Sequence, residues 1–161
     1  MTAQHREQPW SDDQPQHGRI LVLTANHISQ AIFTIATAVG RLVVVLADDD
    51  GGPGLWSLAP AEGDAVVVCD HDAPDAPQFL RDGLASPASY VAMMASRRRA
   101  EGLLADLEAE GAPNLDKLHV PAGHDLGGKG PGEIALSVVA EIVAESYRRS
   151  GGSMRGPGHE R

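Results

Sequence analysis

The sequence has little cysteine, few aromatic residues and no long apolar run, and each shortage excludes a class of protein. Its one cysteine, Cys69, cannot close a disulfide within the chain, as expected in the reducing cytosol. No apolar run approaches the roughly 20 residues that a membrane-spanning helix requires, and the N-terminus has no apolar signal-peptide core. We therefore expect a cytoplasmic protein that does not enter a membrane.

Basic residues are also scarce, because 13 Lys and Arg stand against 22 Asp and Glu and the formal net charge is −9. This balance argues against a general nucleic-acid-binding protein. Aromatic residues make up only 4% of the chain, so Ala, Val, Leu and Ile must fill the core. A chain of 161 residues is long enough for one domain with such a core.

The two ends of the chain differ in composition from its middle. Residues 1–17 are rich in Gln, Asp and His, which predicts a disordered segment. Residues 150–161 contain four glycines and predict a flexible tail. The folded domain is therefore placed at residues 18–149.

Within those limits, short apolar runs alternate with helical patterns. Continuous apolar runs predict strands covered on both faces at 19–24, 41–47, 65–69 and 89–95, with a weaker strand near 118–120. Helices are predicted between them from cap residues such as Ser96, Gly40, Gly111 and Pro131. In the last helix a polar stripe lies opposite a face of Ile, Val and Ala that must be buried; its members are Glu133, Ser137, Glu141 and Glu145. Strands that alternate with helices predict right-handed crossovers and a three-layer α/β/α domain with a mostly parallel sheet.

In such a sheet, ligands bind beyond the carboxyl ends of the strands. Polar or titratable residues follow every predicted strand: Asn26 and His27; Asp48 to Asp50; Asp70, His71 and Asp72; Ser96 to Arg99; and, in the last loop, His124, Asp125 and Lys129. Polar strand-to-helix loops are common, but together these residues predict a binding site at one edge of the sheet.

Three arginines, Arg97, Arg98 and Arg99, follow the predicted helix cap Ser96. Cations in the first turn oppose the helix dipole, at a cost of roughly 0.3–1 kcal/mol each when exposed. A bound anion reverses this effect, because free N–H groups and guanidinium groups suit phosphate. The alternative is a solvated basic turn paired with acids such as Glu101 or Asp106. The residues alone leave both interpretations open.

The loop after the first strand, residues 24–29, contains no glycine. A dinucleotide site requires G-x-G-x-x-G there, because glycine lets the backbone approach the pyrophosphate. NAD(P) or FAD binding in the usual pose is therefore disfavoured. Asp48 could bind a ribose as an acid, but without the glycine turn it is weak evidence for a dinucleotide site. Asn26 is interpreted as a helix cap.

His71 and His124, each followed by an aspartate, could bind a metal ion or form an acid–base pair. Their spacing matches no compact zinc motif, so solvated histidines are the simpler interpretation and no metal is predicted. Cys69 is interpreted as a small hydrophobic residue rather than a nucleophile or a sulfur carrier.

The last third of the chain carries a more specific pattern. It begins with Tyr90 and the S-R-R helix start at Ser96, continues with a P-x-G-x-D-x-G loop from Pro121, and ends with a P-x-E-I-A-x-S-x-x-A-E helix from Pro131. It resembles the C-terminal Rossmann-like domain of the XdhC/CoxI family, and His71-Asp72 resembles that family's H-D after the third strand. The chain departs from the family pattern in several places. His27 remains of a G-A-G-H-like first loop whose glycines are missing, Ala95 replaces glycine, His124 replaces leucine, and Gly128-Lys129-Gly130 replaces A-R-T.

The resemblance implies a Rossmann-like fold and a role in maturing molybdenum hydroxylases. Family members are thought to bind the molybdenum cofactor, assist its sulfuration and pass it to xanthine dehydrogenase-like or CO dehydrogenase-like enzymes, as chaperones rather than catalysts. A client molybdenum hydroxylase, a sulfurtransferase and a second copy of the chain are the expected partners. An NAD(P)-binding oxidoreductase-like domain and a ligand-free adaptor are the alternatives.

The expected ligand pose combines the resemblance with the residues at the sheet edge. A phosphate-bearing pterin would place its anion on Arg97–Arg99 and its polar rings towards Asp125, His71 and His27. The candidate cofactor-binding residues are His27, Asp48, His71, Asp72, Ser96, Arg97, Arg98, Gly123, Asp125 and Gly127.

Overall fold

A computed structural model describes residues 17–46 and 54–156. Within them, five parallel strands form one sheet in the order β2-β1-β3-β4-β5. The strands are β1 (Ile20–Leu23), β2 (Val43–Leu46), β3 (Ala65–Val68), β4 (Tyr90–Met93) and β5 (Leu118–His119), and the helices are α1 (His27–Ala38), α2 (Ala76–Ala85), α3 (Arg97–Ala109) and α4 (Pro131–Ser146). The predicted parallel α/β architecture is confirmed. Asp48 and nearly all of the predicted disordered segment lie outside the described residues.

The alternation of side chains along each strand divides the core into two layers. Ile20 and Val22 of β1 face α1 and α4, where they pack with Ile32 and Val138 among others. Leu21 and Leu23 face the opposite side, which α2 and α3 cover. Because β1, β3 and β4 are buried on both faces, their sequences read as continuous apolar runs.

The helix boundaries follow the cap residues that the sequence predicts. Asn26 and Ser29 form a reciprocal capping box at the start of α1, and the Ser96 hydroxyl accepts a hydrogen bond from the Arg99 amide at the start of α3. Gly40 and Gly111 have φ of 81° and 70° beyond the ends of α1 and α3, a left-handed conformation that glycine adopts readily.

The prediction that residues 41–47 are covered on both faces is wrong for β2. This strand lies at the edge of the sheet beside β1, and Val45 is 36% exposed while the preceding Leu42 is 65% exposed. An apolar run shows that a segment forms a strand but does not reveal its place in the sheet, and an edge strand has a neighbour strand on one side only.

The polar stripe predicted along α4 is exposed at Glu133 and Glu145 but not along its whole length. Ser137 is only 7% exposed, and the Glu141 side chain is 12% exposed. The predicted apolar face is buried or half-buried throughout. The reason is that α4 also packs against the loop that precedes it, so α4 is covered on more than its apolar face.

None of the helices within residues 17–46 and 54–156 combines the length and apolar character needed to cross a bilayer.

Candidate functional site

A cleft of about 560 Å³ opens at the carboxyl edge of the sheet, and we call it the main cleft. The end of β4 forms one wall, the starts of α1 and α3 contribute Ile28 and Arg97, and the loop of residues 121–130 forms the opposite wall with the first turns of α4. This is where a parallel α/β sheet binds its ligands. Its side-chain lining comes chiefly from Ile28, Met94, Arg97, His124, Asp125, Lys129 and Ile134.

The wall formed by the loop depends on two glycines that the sequence marks as candidates. Gly123 and Gly127 have φ of 96° and 82°, which side chains with a Cβ adopt at a cost. Gly123 is also closely packed, because a Cβ at this position would clash with the Ser137 side chain. A glycine at 123 is therefore required by both conformation and space.

The main cleft contains charges of both signs. Arg97 and Lys129 supply two exposed cations, and Asp125 supplies an exposed carboxylate. The N-cap of α4 is Gly130, which has no side chain to cap the first-turn amides of the helix. Such uncapped amides and nearby cations favour an anionic group.

The three arginines do not act together. Arg97 lines the main cleft, whereas Arg99 lines a second cleft of about 420 Å³ between α2 and α3, together with His71. Arg99 Nη1 lies 3.1 Å from Asp72 Oδ1, so this arginine is paired with an acid, although not with Glu101 or Asp106. Arg98 is exposed and belongs to the lining of neither cleft.

The structure brings four of the predicted site residues to the main cleft and five to other places, while Asp48 lies outside the described residues. The four are Arg97, Gly123, Asp125 and Gly127. His27 is exposed as the first residue of α1, and Ser96 caps α3. His71 lines the second cleft, and Asp72 pairs with Arg99 of that cleft. A contact between any of these residues and a ligand stays a prediction.

The crevice between β1 and β3, where the strand order reverses, is bridged by a side chain. The Asn26 amide donates a 3.2 Å hydrogen bond to the Cys69 carbonyl, which joins the loop after β1 to the end of β3. Dinucleotides bind at this switch point in related sheets. Asn26 is thus the predicted helix cap and, in addition, a bridge that sequence reasoning did not foresee.

Thr24, at the end of β1, has a φ of 82°. Its hydroxyl oxygen is buried and has no hydrogen-bond partner among the described residues. A β-branched residue in the left-handed region is unusual. Glycine adopts this conformation readily, so Thr24 occupies a backbone position suited to glycine.

Sequence reasoning missed a buried cluster around Glu141. The Glu141 Oε1 accepts hydrogen bonds from the Tyr90 hydroxyl at 2.6 Å and from the Gly123 amide at 3.1 Å. His119 Nδ1 lies 3.5 Å from the same oxygen, and the His119 ring stacks on Tyr90 at 4.5 Å between centroids. The four-residue period of α4 grouped Glu141 with a polar stripe, so its contact with Tyr90 was missed. The family motif contains both Tyr90 and Glu141, and this match was the signal that could have revealed the pair.

Cys69 is buried in the layer that faces α1 and α4, which confirms its interpretation as a small core residue. Burial, and then the neighbouring Asp70 carboxylate, raise the pKa of the Cys69 thiol to about 12. The thiol is therefore protonated and shielded at neutral pH, which makes it a poor nucleophile.

A parallel sheet covered by helices on both faces, with a glycine-containing cleft at the carboxyl ends of its strands, defines a Rossmann-like α/β domain. The family model of the XdhC Rossmann domain matches residues 20–142, and the chain belongs to this family.

Known proteins are similar to the chain in sequence and in fold. The uncharacterised protein YqeB of Escherichia coli K12 is 35% identical over a match that covers 88% of this chain and 30% of YqeB. The chain thus spans less than a third of that relative's length. A crystal structure described as a xanthine dehydrogenase from Bacillus halodurans matches with a TM-score of 0.65 and 21% identity, over 86% of this chain and 45% of the other. At this identity the likeness shows the shared fold.

Proposed function

We propose that this domain binds the molybdenum cofactor in the main cleft and takes part in the cofactor's sulfuration or its insertion into a molybdenum hydroxylase. The client would be an enzyme of the xanthine dehydrogenase or CO dehydrogenase type. The observation that carries the proposal is the main cleft itself, which combines two cations, a glycine-containing wall and an uncapped helix start. Membership of the XdhC Rossmann-domain family supports the maturation role.

The chemistry of the main cleft fits a phosphate-bearing pterin. Arg97 and Lys129 would bind the phosphate, together with the first-turn amides of α4. The Asp125 carboxylate would accept hydrogen bonds from the N–H groups of the pterin, and Ile28 and Met94 offer apolar surface to its ring faces. A volume of about 560 Å³ lies within the range of small-molecule sites.

A carrier role agrees with what the chain's own side chains can do. The bound cofactor would supply the redox chemistry of the client enzyme, and the residues of the main cleft would hold and release it. Cys69, the chain's one cysteine, is buried with a pKa raised to about 12, so it is unsuited to carry sulfur. We therefore propose that sulfur comes from a sulfurtransferase partner in the cytoplasm, and that a second copy of the chain is a further partner.

The geometry argues against NAD(P) as the ligand. Asn26 bridges the switch-point crevice to Cys69, and Thr24 and Asn26 carry side chains where a dinucleotide-binding loop needs glycine. A pyrophosphate would have to displace the Asn26 bridge before it could approach the start of α1.

The proposal is tested by measuring molybdenum-cofactor retention in the purified protein, through the fluorescence of the oxidised pterin, with NAD(H) and NADP(H) titrated in parallel. We expect the wild-type protein to bind the pterin only. Arg97→Ala should weaken binding about tenfold or more, since a hydrogen bond to a charged group contributes about 1.5–3 kcal/mol. Arg98→Ala is the matched control, because Arg98 is equally exposed and lies outside both clefts.

Three outcomes would contradict the proposal. Wild-type protein that binds no pterin would exclude the main cleft as its site, and nicotinamide binding would overturn the interpretation of the first loop. Equal losses in Arg97→Ala and Arg98→Ala would show that general surface charge, and not the cleft, governs retention.

A further inference from the structure

Glu141 is a partly buried carboxylate in the second half of α4, and it is not part of the lining of the main cleft. It lies directly behind the loop that forms one wall of that cleft, and it is hydrogen-bonded to Gly123 of that loop. The same carboxylate is bonded to Tyr90 of β4 and faces His119 of β5. Glu141 thus connects the wall of the cleft to two strands of the sheet.

We propose that Glu141 is a positioning residue that holds the Gly123 backbone, and with it the loop wall of the main cleft, in the conformation that binds the ligand. The inference rests on the proposed function in one respect, namely that the main cleft is the binding site. The anchoring of the loop by Glu141 is a separate claim and can be measured without a ligand.

The loop is held by three successive backbone amides, each with a different acceptor. The Ala122 amide donates to the Met93 carbonyl at 3.0 Å, and the His124 amide donates to the Ser137 carbonyl at 3.2 Å. The Gly123 amide between them donates to the Glu141 carboxylate, the one side-chain acceptor of the three. Gly123 has a positive φ, so this link fixes the backbone at the point where it turns towards Asp125 and Gly127.

The sheet fixes the carboxylate itself through Tyr90. The Tyr90 hydroxyl is bonded at 2.6 Å, and the Tyr90 ring is buried and stacked on His119. A short hydrogen bond to an ionised acceptor is among the stronger kinds. Because Tyr90 belongs to the sheet, Glu141 transmits the position of a rigid element to the loop.

The charge on Glu141 depends on the groups that face it. Burial alone would raise the pKa of this carboxyl, but the His119 imidazole 3.5 Å away and the hydrogen bonds from Tyr90 and Gly123 outweigh burial and hold its pKa below the usual 4.5. His124 Nδ1 lies 4.0 Å from the other carboxylate oxygen. The other elements packed nearby add little charge: α1 carries His27 as its sole titratable side chain, Glu145 is exposed on the next turn of α4, and uncharged Gly151 lies against His124.

The sign of the pH dependence follows from this lowered pKa. The carboxylate is ionised at neutral pH, so the anchor is present there and is lost as the pH falls through the pKa of Glu141 in the folded protein. Acidification should therefore weaken the hold of Glu141 on the Gly123 amide.

The test compares Glu141→Gln with Glu145→Gln by amide hydrogen exchange and by pterin affinity. Gln keeps the size and one acceptor oxygen but removes the charge, and Glu145→Gln removes the same charge from an exposed position one turn away on the same helix. We expect Glu141→Gln to speed exchange at Gly123 and His124 by about tenfold or more and to weaken pterin binding by a similar factor. Exchange in β1 and β3 should stay unchanged, and Glu145→Gln should resemble the wild-type protein.

The pH series on the wild-type protein needs no variant, so it decides the matter even if Glu141→Gln does not fold. Corrected for intrinsic rates, protection of Gly123 should fall more steeply on acidification than protection in β1 and β3, where only the general loss of stability from Asp64 is expected. Unchanged protection of Gly123 at low pH or in Glu141→Gln would overturn the inference, and so would an equal loss across the whole sheet. Wild-type protein that fails to bind pterin would overturn the proposed function, whereas the exchange measurements would still decide the role of Glu141.

Discussion

Thr24→Gly is expected to stabilise the protein, although a change to glycine usually destabilises one. Thr24 is β-branched, has a φ of 82° and buries a hydroxyl oxygen without a partner among the described residues. The left-handed conformation costs a residue with a Cβ about 1–2 kcal/mol, and an unsatisfied buried polar group costs about 1–3 kcal/mol. Glycine removes both costs but increases the entropy of the unfolded chain, which destabilises by about 0.4–1 kcal/mol.

The net gain in the free energy of unfolding is therefore about 1–4.5 kcal/mol, and each kcal/mol corresponds to a Tm increase of roughly 2–4 °C in a chain of this length. Urea titration followed by circular dichroism measures it directly. Ala25→Gly is the matched control, since Ala25 is the exposed neighbour and is not among the residues with positive φ. It should lower stability by about 0.4–1 kcal/mol. If Thr24→Gly lowers the urea midpoint as much as Ala25→Gly does, the argument from strain at Thr24 is refuted.

Two further predictions concern the core. Asp64→Asn should destabilise the protein by about 2–4 kcal/mol, because the buried carboxylate accepts hydrogen bonds from the Arg19 amide, the Arg19 guanidinium and the Ala61 amide. Burial alone would raise the pKa of Asp64, but these hydrogen bonds hold the pKa below the usual 3.8. The stabilisation is thus present at neutral pH and is lost as the pH falls through the folded-state pKa of Asp64. Urea midpoints that show the same pH dependence in the wild-type and variant proteins would contradict this prediction. Cys69, with its pKa raised to about 12, should not react with a thiol reagent at pH 8 until urea unfolds the chain; rapid modification of the native protein would contradict its burial.

The sequence was sufficient to predict the parallel α/β fold because its signals are local. A continuous apolar run such as the one containing Val66 and Val67 predicts a doubly covered strand, and cap residues such as Asn26 and Ser96 predict where helices begin. The order of the strands is not a local property. The prediction therefore treated β2 as fully covered, although it lies at the edge.

The candidate site was predictable to the level of the loops that form it. Arg97, Gly123, Asp125 and Gly127 meet at the main cleft because each follows a strand or lies in the last loop. The direction of each side chain along α3 was not predictable, so Arg97 and Arg99 appeared to form one site although they line separate clefts. Glu141 was missed for a similar reason, because a helical period does not show that a loop covers the polar side of the helix.

The position of α4 in the fold has a consequence for how the domain is made. Residues of α4, among them Ala135, Val138 and Ile142, cover one face of β1, β3 and β4, yet α4 is the last of the described helices to be synthesised. Until it emerges, the nascent chain has strands that can pair but one apolar face that only α1 can shield. Such intermediates are prone to aggregate, and parallel pairing is intrinsically slow. The ribosome-bound chain should therefore need a holding chaperone until residues 131–146 have left the exit tunnel.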